Sequence, residues 1–272
     1  MHTRDGVRLS VRDVGDGPGV LLIHGWSLSG EVWDRQIRVL AESGHRVVAM
    51  DLRGHGRSDA PLDGYDIDSL QHDALEVIEQ RGLGRGRHRG LVAGRHGRPA
   101  LGTWTSRSRR VSRVGCHQWR CGGTVRGLSV RVPPPRGPLN SLLAAEHADR
   151  ISLRRRAVGD PFKGGAPDPH TLDWLHRISL QTPSWAGRAA LRTLMCTEQT
   201  HLLEGLSVPV TQIVGTADPA LSVRGCTVGA RASGQHARRV RRRALPDAGV
   251  PGRVRRGAAS RGGCGAFARG VT

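Results

Sequence analysis

Two long stretches of the sequence contain almost no acidic residues, and lysine is nearly absent from the whole chain. Lys163 is the only lysine among 42 Lys and Arg residues. No Asp or Glu lies between Glu79 and Glu146, and Asp247 is the only acid after Asp218. The formal net charge of +19 favours a polyanionic partner, because cationic side chains that neutralise phosphates release counterions. However, this confined excess of arginine alone is unlike the mixed Lys and Arg surface of a phosphate-binding protein.

The sequence also lacks a long hydrophobic run and a cysteine framework. No apolar segment is long enough to span a membrane, and the charged start at Met1 is not followed by the apolar stretch of a signal peptide. The five cysteines are odd in number and scattered, which favours a reducing compartment. Cys116 and Cys121 do not have zinc-ribbon spacing, so we expect free thiols. We therefore predict a cytoplasmic protein with no bound metal and no membrane partner.

The N-terminal third alternates between strand and helix patterns. Residues 20–23 are a continuous apolar run typical of a buried parallel strand, and residues 46–50 form another. Between them, Trp33, Ile37 and Leu40 recur at helical spacing. This alternation predicts an α/β fold with a mostly parallel sheet and flanking helices.

Residues 83–139 and 225–272 differ from the rest of the chain. They are rich in Arg, Gly, Pro and Ser and show no sustained period of a helix or a strand. Such segments contain too few apolar residues to offset the entropy of ordering, so we expect them to be disordered. Between them, from residue 160 onwards, apolar residues recur at helical spacing, which predicts helices. We treat 1–272 as one domain.

Two motifs in the N-terminal third identify a family resemblance. His24-Gly25-Trp26 directly follows the first buried strand, and residues 51–59 fit the pattern D-x-R-G-x-G-x-S-D after the next strand. The chain resembles the α/β-hydrolase superfamily, in its branch of esterases, lactonases and cofactor-free haloperoxidases. The resemblance implies an α/β-hydrolase fold with a small helical cap at 160–205 and no cofactor.

The same resemblance implies particular site residues. The backbone N–H of Trp26 would lie in the oxyanion hole, and Asp218, after an apolar run at 208–214, would be the acid that orients a catalytic histidine. The implied substrate is a small-molecule carboxylic ester or lactone, hydrolysed through an acyl-enzyme. A plain turn aspartate at a strand end is the alternative interpretation of Asp218.

The motif of the family's nucleophile, G-x-S-x-G, is missing. Its glycines are needed because the turn that carries the serine is strained. Four serines have a glycine two residues before them but none two residues after: Ser27, Ser58, Ser129 and Ser207. Val250 stands where the family has its histidine, and His236 is the only histidine after Asp218. The sequence therefore identifies neither nucleophile nor base, and the chain is expected to be inactive or nearly so.

Two hypotheses account for the missing pieces. Out-of-frame translation of GC-rich DNA yields Arg, Gly, Ala and Pro in excess, so local frameshifts would explain both unusual stretches. Codons for Gly90-Leu91-Val92 can be chosen so that the shifted frame reads Ala-Trp-Ser, as in a nucleophile segment.

The alternative is a non-enzymatic basic protein that binds nucleic acid or other polyanions. Trp104 and Trp119 are the only aromatic residues in the first basic stretch and no nucleic-acid-binding motif occurs, so a nucleic-acid partner is not favoured.

Overall fold

The computed structural model describes residues 1–83, 90–94, 111–116, 136–159, 168–197, 210–215 and 236–240. Within these residues it contains seven strands that form one sheet. In chain order they are β1 (Val11–Val14), β2 (Gly19–Ile23), β3 (Arg46–Met50), β4 (Gly90–Gly94), β5 (Val111–Cys116), β6 (Val210–Gly215) and β7 (His236–Val240).

The sheet has the order β1-β3-β2-β4-β5-β6-β7. All neighbouring pairs are parallel except β1 and β3, which pair antiparallel. The chain therefore starts near one edge, crosses to β2 in the interior and returns to β3 before it continues outwards in the other direction. The mostly parallel sheet predicted from the sequence is confirmed. The order reverses between β3 and β4, both of which pair with β2, and ligands bind at such points in open α/β sheets.

Two helices flank the first half of the sheet. Helix α1 (Asp34–Glu42) follows a short 3-10 turn at Gly30–Trp33, and α2 (Ile67–Gln80) begins at Asp66, whose carboxylate accepts a hydrogen bond from the Ser69 N–H at 2.9 Å. Alternate residues of β2 face the two helices. Leu21 and Ile23 pack in the cluster that contains α2, while Val20 and Leu22 pack with Ile37 of α1. The apolar run of β2 is thus buried on both faces.

Four further helices form a layer beside the sheet. They are α3 (Arg136–Ala148), α4 (Arg150–Gly159), α5 (Pro169–Leu180) and α6 (Ser184–Cys196). Helix α3 packs on α6 and α4 packs on α5. The helices of the expected cap at 160–205 are α5 and α6, and the helical layer also includes 136–159. Residues 160–167 and 198–205 lie outside the described residues.

Three strands lie inside the stretches for which the composition predicts disorder. They are β4 and β5 within 83–139, and β7 within 225–272. Each of the three pairs with a neighbouring strand through backbone hydrogen bonds. The rest of both stretches lies outside the described residues apart from Leu83 and 136–139. No helix within the described parts is long and apolar enough to cross a membrane.

Candidate active site

The loops that follow β2 and β3 lie side by side at the carboxyl edge of the sheet. Their positions are linked because the two strands are adjacent and parallel, with Ile23 in register with Met50. The first loop contains His24, Gly25 and Trp26, and the second begins at Asp51. These are the two motifs that carry the family resemblance in the sequence.

His24 joins the two loops through both nitrogens of its ring. The Leu52 backbone N–H donates to His24 Nε2 at 3.0 Å, so the ring proton must lie on Nδ1. Nδ1 in turn donates to the Gly25 carbonyl oxygen at 2.7 Å. The Leu28 N–H donates to the same carbonyl at 3.2 Å. The buried imidazole therefore fixes the orientation of the peptide between Gly25 and Trp26.

The orientation of that peptide determines where the Trp26 N–H points. In a trans peptide the C=O and the next N–H point in opposite directions, and no peptide bond in the described residues is cis. With the Gly25 carbonyl held towards His24 and Leu28, the Trp26 N–H faces the other way. No acceptor among the described residues reaches it. The described residues therefore leave this N–H without an acceptor of their own.

Ser27 has the only positive φ, 54°, among the described residues that are not glycine. The left-handed conformation is costly for a residue with a Cβ and is maintained only where the surroundings enforce it. Here the flanking side chains are both anchored. Trp26 packs with Leu139 and Leu191, and Leu28 is buried in a different cluster between α4 and α5.

The second loop is held to the first by Asp51. One carboxylate oxygen accepts from the Gly30 N–H at 2.6 Å, and the other accepts from the Arg57 N–H at 2.9 Å. The hydroxyl of Ser58 donates to the Asp51 carbonyl at 2.7 Å and accepts from the Ser10 N–H at 2.9 Å. Ser58 is therefore a structural hydroxyl, as its place in the D-x-R-G-x-G-x-S-D motif predicts.

His55 is a second buried histidine beside His24, with ring centroids 5.2 Å apart. Its Nδ1 donates to the Arg53 carbonyl at 3.0 Å, while no partner within the described residues reaches Nε2. Burial and then the neighbouring charge of His24 lower the pKa of His55 to about 3. His55 is thus neutral at ordinary pH.

The remaining candidates are distributed as follows. Gly94, the last residue of β4, is in register with Ile23, so β4 ends beside the start of the Trp26 loop. Its first residues are Arg95-His96-Gly97, with no serine, and they lie outside the described residues, as do Asp218, Ser129 and Ser207. His236 begins β7 and pairs with Thr211, near the start of β6. It therefore lies where the parallel strands begin, whereas the Trp26 loop lies where they end. This position argues against a role of His236 as the base.

The structure also brings residues to the site that the sequence did not single out. Arg154 lies over the Trp26 ring, 5.8 Å from its centroid, and pairs with Glu146. The Trp26 indole N–H donates to the Gly187 carbonyl at 2.8 Å. Within an arginine-rich sequence nothing distinguishes Arg154 from its neighbours, so no local signal could have found it.

Comparison with known proteins agrees with this arrangement. Residues 18–87 match the family described as alpha/beta hydrolase fold. The whole fold resembles an esterase from Exiguobacterium antarcticum, with a TM-score of 0.77, 22% identity and coverage of 89% of this chain and 92% of that one. The chain therefore has an α/β-hydrolase fold, and its N-terminal region resembles the family in sequence. Its fold also matches a bromoperoxidase from Bacillus anthracis, with a TM-score of 0.76, 21% identity and coverage of 87% and 88% of the two chains.

Relatives found by sequence match the chain over a shorter region. The chain is 42% identical over 76 residues to a non-heme chloroperoxidase of Kitasatospora aureofaciens, which is 28% of each chain. It is also 42% identical over 94 residues to a bifunctional esterase/perhydrolase of Acinetobacter calcoaceticus, which is 34% of each chain. The matched region therefore spans about a third or less of these curated relatives.

Proposed function

We propose that the carboxyl edge of the sheet is the site of a serine-type hydrolase that acts on carboxylic esters or lactones. The observation that carries the proposal is the Trp26 N–H, which the His24 hydrogen bonds orient and for which the described residues provide no acceptor. A backbone N–H fixed in this way can stabilise an oxyanion without reorganising during the reaction. The esterase and perhydrolase names of the relatives support this class of substrate.

In the proposed reaction the substrate carbonyl oxygen lies against the Trp26 N–H. Attack by a nucleophile on the carbonyl carbon moves an electron pair onto that oxygen, and the N–H stabilises the resulting negative charge. Collapse of the tetrahedral species expels the alcohol and leaves an acyl-enzyme, which water hydrolyses to the acid. Asp218 is proposed to orient the imidazole that transfers the protons.

The sequence supplies no serine between glycines for the attacking group. Loss of the nucleophile and base from such a site leaves the contribution of the oxyanion hole and binding, about 10³–10⁴-fold over water. We therefore propose that the chain as written binds esters at this site but turns them over very slowly. Purified protein should accordingly hydrolyse an aryl ester only slightly, and Asp218→Asn should leave that rate unchanged.

A local frameshift is our explanation for the missing serine. Peptides of the protein isolated from its native cells, identified by mass spectrometry, test it directly across 83–139 and 225–272. Peptides that carry a G-x-S-x-G segment after β4 and a late histidine would support an active serine hydrolase. Peptides that match the sequence as written would contradict the frameshift.

The charge of +19 supports the alternative of a polyanion-binding protein. Retention on immobilised DNA separates the two functions, because a binding site that neutralises many phosphates gives a steep salt dependence. Weak retention that is independent of DNA sequence would show that the net charge alone causes the binding, and would count against the polyanion-binding function.

A further inference from the structure

The Glu146–Arg154 pair is the most deeply buried ion pair in the described residues. Both side chains have 0% exposure. Arg154 Nε donates to one Glu146 oxygen at 3.2 Å, and Nη2 donates to the other. Its Nη1 donates to the Thr182 carbonyl at 2.6 Å and to the Ser179 carbonyl beside it. A buried pair of this kind is rarely needed for stability alone, because apolar residues of similar volume often serve as well.

Gly187 lies directly against this pair. A Cβ added at Gly187 would lie 2.7 Å from a Glu146 carboxylate oxygen and would collide with Arg154 Nη2. Helix α6 can therefore approach the pair only through a glycine. The carbonyl oxygen of the same glycine accepts the hydrogen bond from the Trp26 indole.

The guanidinium of Arg154 also contacts the Trp26 ring directly. Its position over the ring, 5.8 Å from the centroid, is that of a cation–π contact, and such contacts are stronger when they are shielded from water. Trp26 is thus held at two points, by the Gly187 carbonyl at the indole nitrogen and by Arg154 at the ring face. Both points depend on the position of the ion pair.

We propose that the Glu146–Arg154 pair is a positioning device that fixes the direction of the Trp26 backbone N–H through the Trp26 indole. This inference rests on the proposed role of that N–H as an oxyanion donor. The strained φ of Ser27 makes the anchor necessary, since the loop would otherwise relax. Arg154 is a positioning residue because it acts on the site through Trp26.

The test uses NMR on the full chain with ¹⁵N-labelled tryptophan. The six tryptophans give one backbone and one indole signal each, and Trp26→Phe assigns those of Trp26. Hydrogen exchange of the Trp26 indole reports the anchor. Titration with phenylphosphonate, a tetrahedral oxyanion mimic, reports whether the backbone N–H binds an anion.

Arg154→Met should speed exchange of the Trp26 indole roughly tenfold, the equivalent of one lost hydrogen bond, and abolish the phosphonate shift of the backbone N–H. The matched control is Arg155→Met, which removes an exposed pair with Asp173 from the next position of α4 and should change neither signal. Wild-type Trp26 signals in Arg154→Met would overturn the proposal.

A double variant, Glu146→Leu with Arg154→Met, separates positioning from stability. It leaves no unpaired buried charge, so its thermal stability should recover most of what Arg154→Met loses. The indole exchange and the phosphonate response of Trp26 in the double variant should nevertheless remain those of Arg154→Met. If both return to wild-type values together with the thermal stability, the proposal is overturned. If phenylphosphonate does not shift the Trp26 N–H of the wild type, the oxyanion role fails, while indole exchange still tests the anchor.

Discussion

At the scale of single residues, Gly187 shows how closely the helical layer packs on the site. Replacement by alanine would insert a methyl group against Glu146 and Arg154. Overpacking of this kind costs about 1–3 kcal/mol, so Gly187→Ala should lower the free energy of unfolding in urea by that amount. Gly137→Ala on α3 is the control, because a Cβ there meets nothing within 4 Å. Equal effects of the two substitutions would contradict the packing described for Gly187.

His55 makes a prediction about pH at the same scale. Its pKa is lowered by burial from 6.5 to about 3, so between these values the unfolded chain binds a proton that the native protein does not. Stability from this residue is therefore complete above pH 6.5 and is lost as the pH falls towards 3, by about 1.4 kcal/mol per pH unit.

The variant His55→Phe should flatten this dependence. It retains a ring of similar size and removes only the hydrogen bond to the Arg53 carbonyl, which costs about 1 kcal/mol. Urea unfolding at a series of pH values measures the slope, with His147→Phe, an exposed histidine of α3, as the control. An unchanged slope in His55→Phe would show that other groups cause the acid sensitivity.

At the scale of elements, a buried ion pair joins the loop after β3 to helix α2. Arg53 donates to both carboxylate oxygens of Asp73, at 2.7 and 2.6 Å, and the side chains are 4% and 1% exposed. Without Asp73, the buried Arg53 would keep only the more exposed Asp5 as a charged partner, at 2.9 Å. We expect Asp73→Asn to cost about 3 kcal/mol in unfolding free energy, whereas Asp68→Asn, in the exposed first turn of α2, should cost far less. Similar losses of unfolding free energy in both variants would show that the Arg53–Asp73 pair does not join the loop to α2 in this way.

The elements differ in how far the sequence predicts them. Apolar runs and helical spacing predict strands β2 and β3 and helices α1 and α2. They do so because the buried positions of these elements are occupied by apolar residues. The same patterns do not predict strands β4, β5 and β7, which are held by pairing with their neighbours. The proposed oxyanion loop contains the recognisable motif His24-Gly25-Trp26, but the contacts of Trp26 with Arg154 and Gly187 join residues distant in sequence.

At the scale of the whole molecule, the two parts of the chain contribute different halves of the proposed site. The region with sequence relatives, residues 18–87, supplies the oxyanion loop and the Asp51 loop that supports it. The helical layer at 136–196 fixes Trp26 and Leu28 from the other side. Asp218 and the positions where the family resemblance would place a nucleophile and a base lie outside the described residues, so the described part supports the proposed oxyanion stabilisation but says nothing of attack.

The most direct test of this account is the rate at which the purified chain hydrolyses p-nitrophenyl acetate, measured beside Asp218→Asn. An oxyanion site without a nucleophile should accelerate the reaction by no more than about 10⁴-fold over water, and the two proteins should have the same rate. Turnover in the ordinary enzymatic range of about 1–10³ s⁻¹, abolished by Asp218→Asn, would contradict the account and show that the chain as written contains a complete triad.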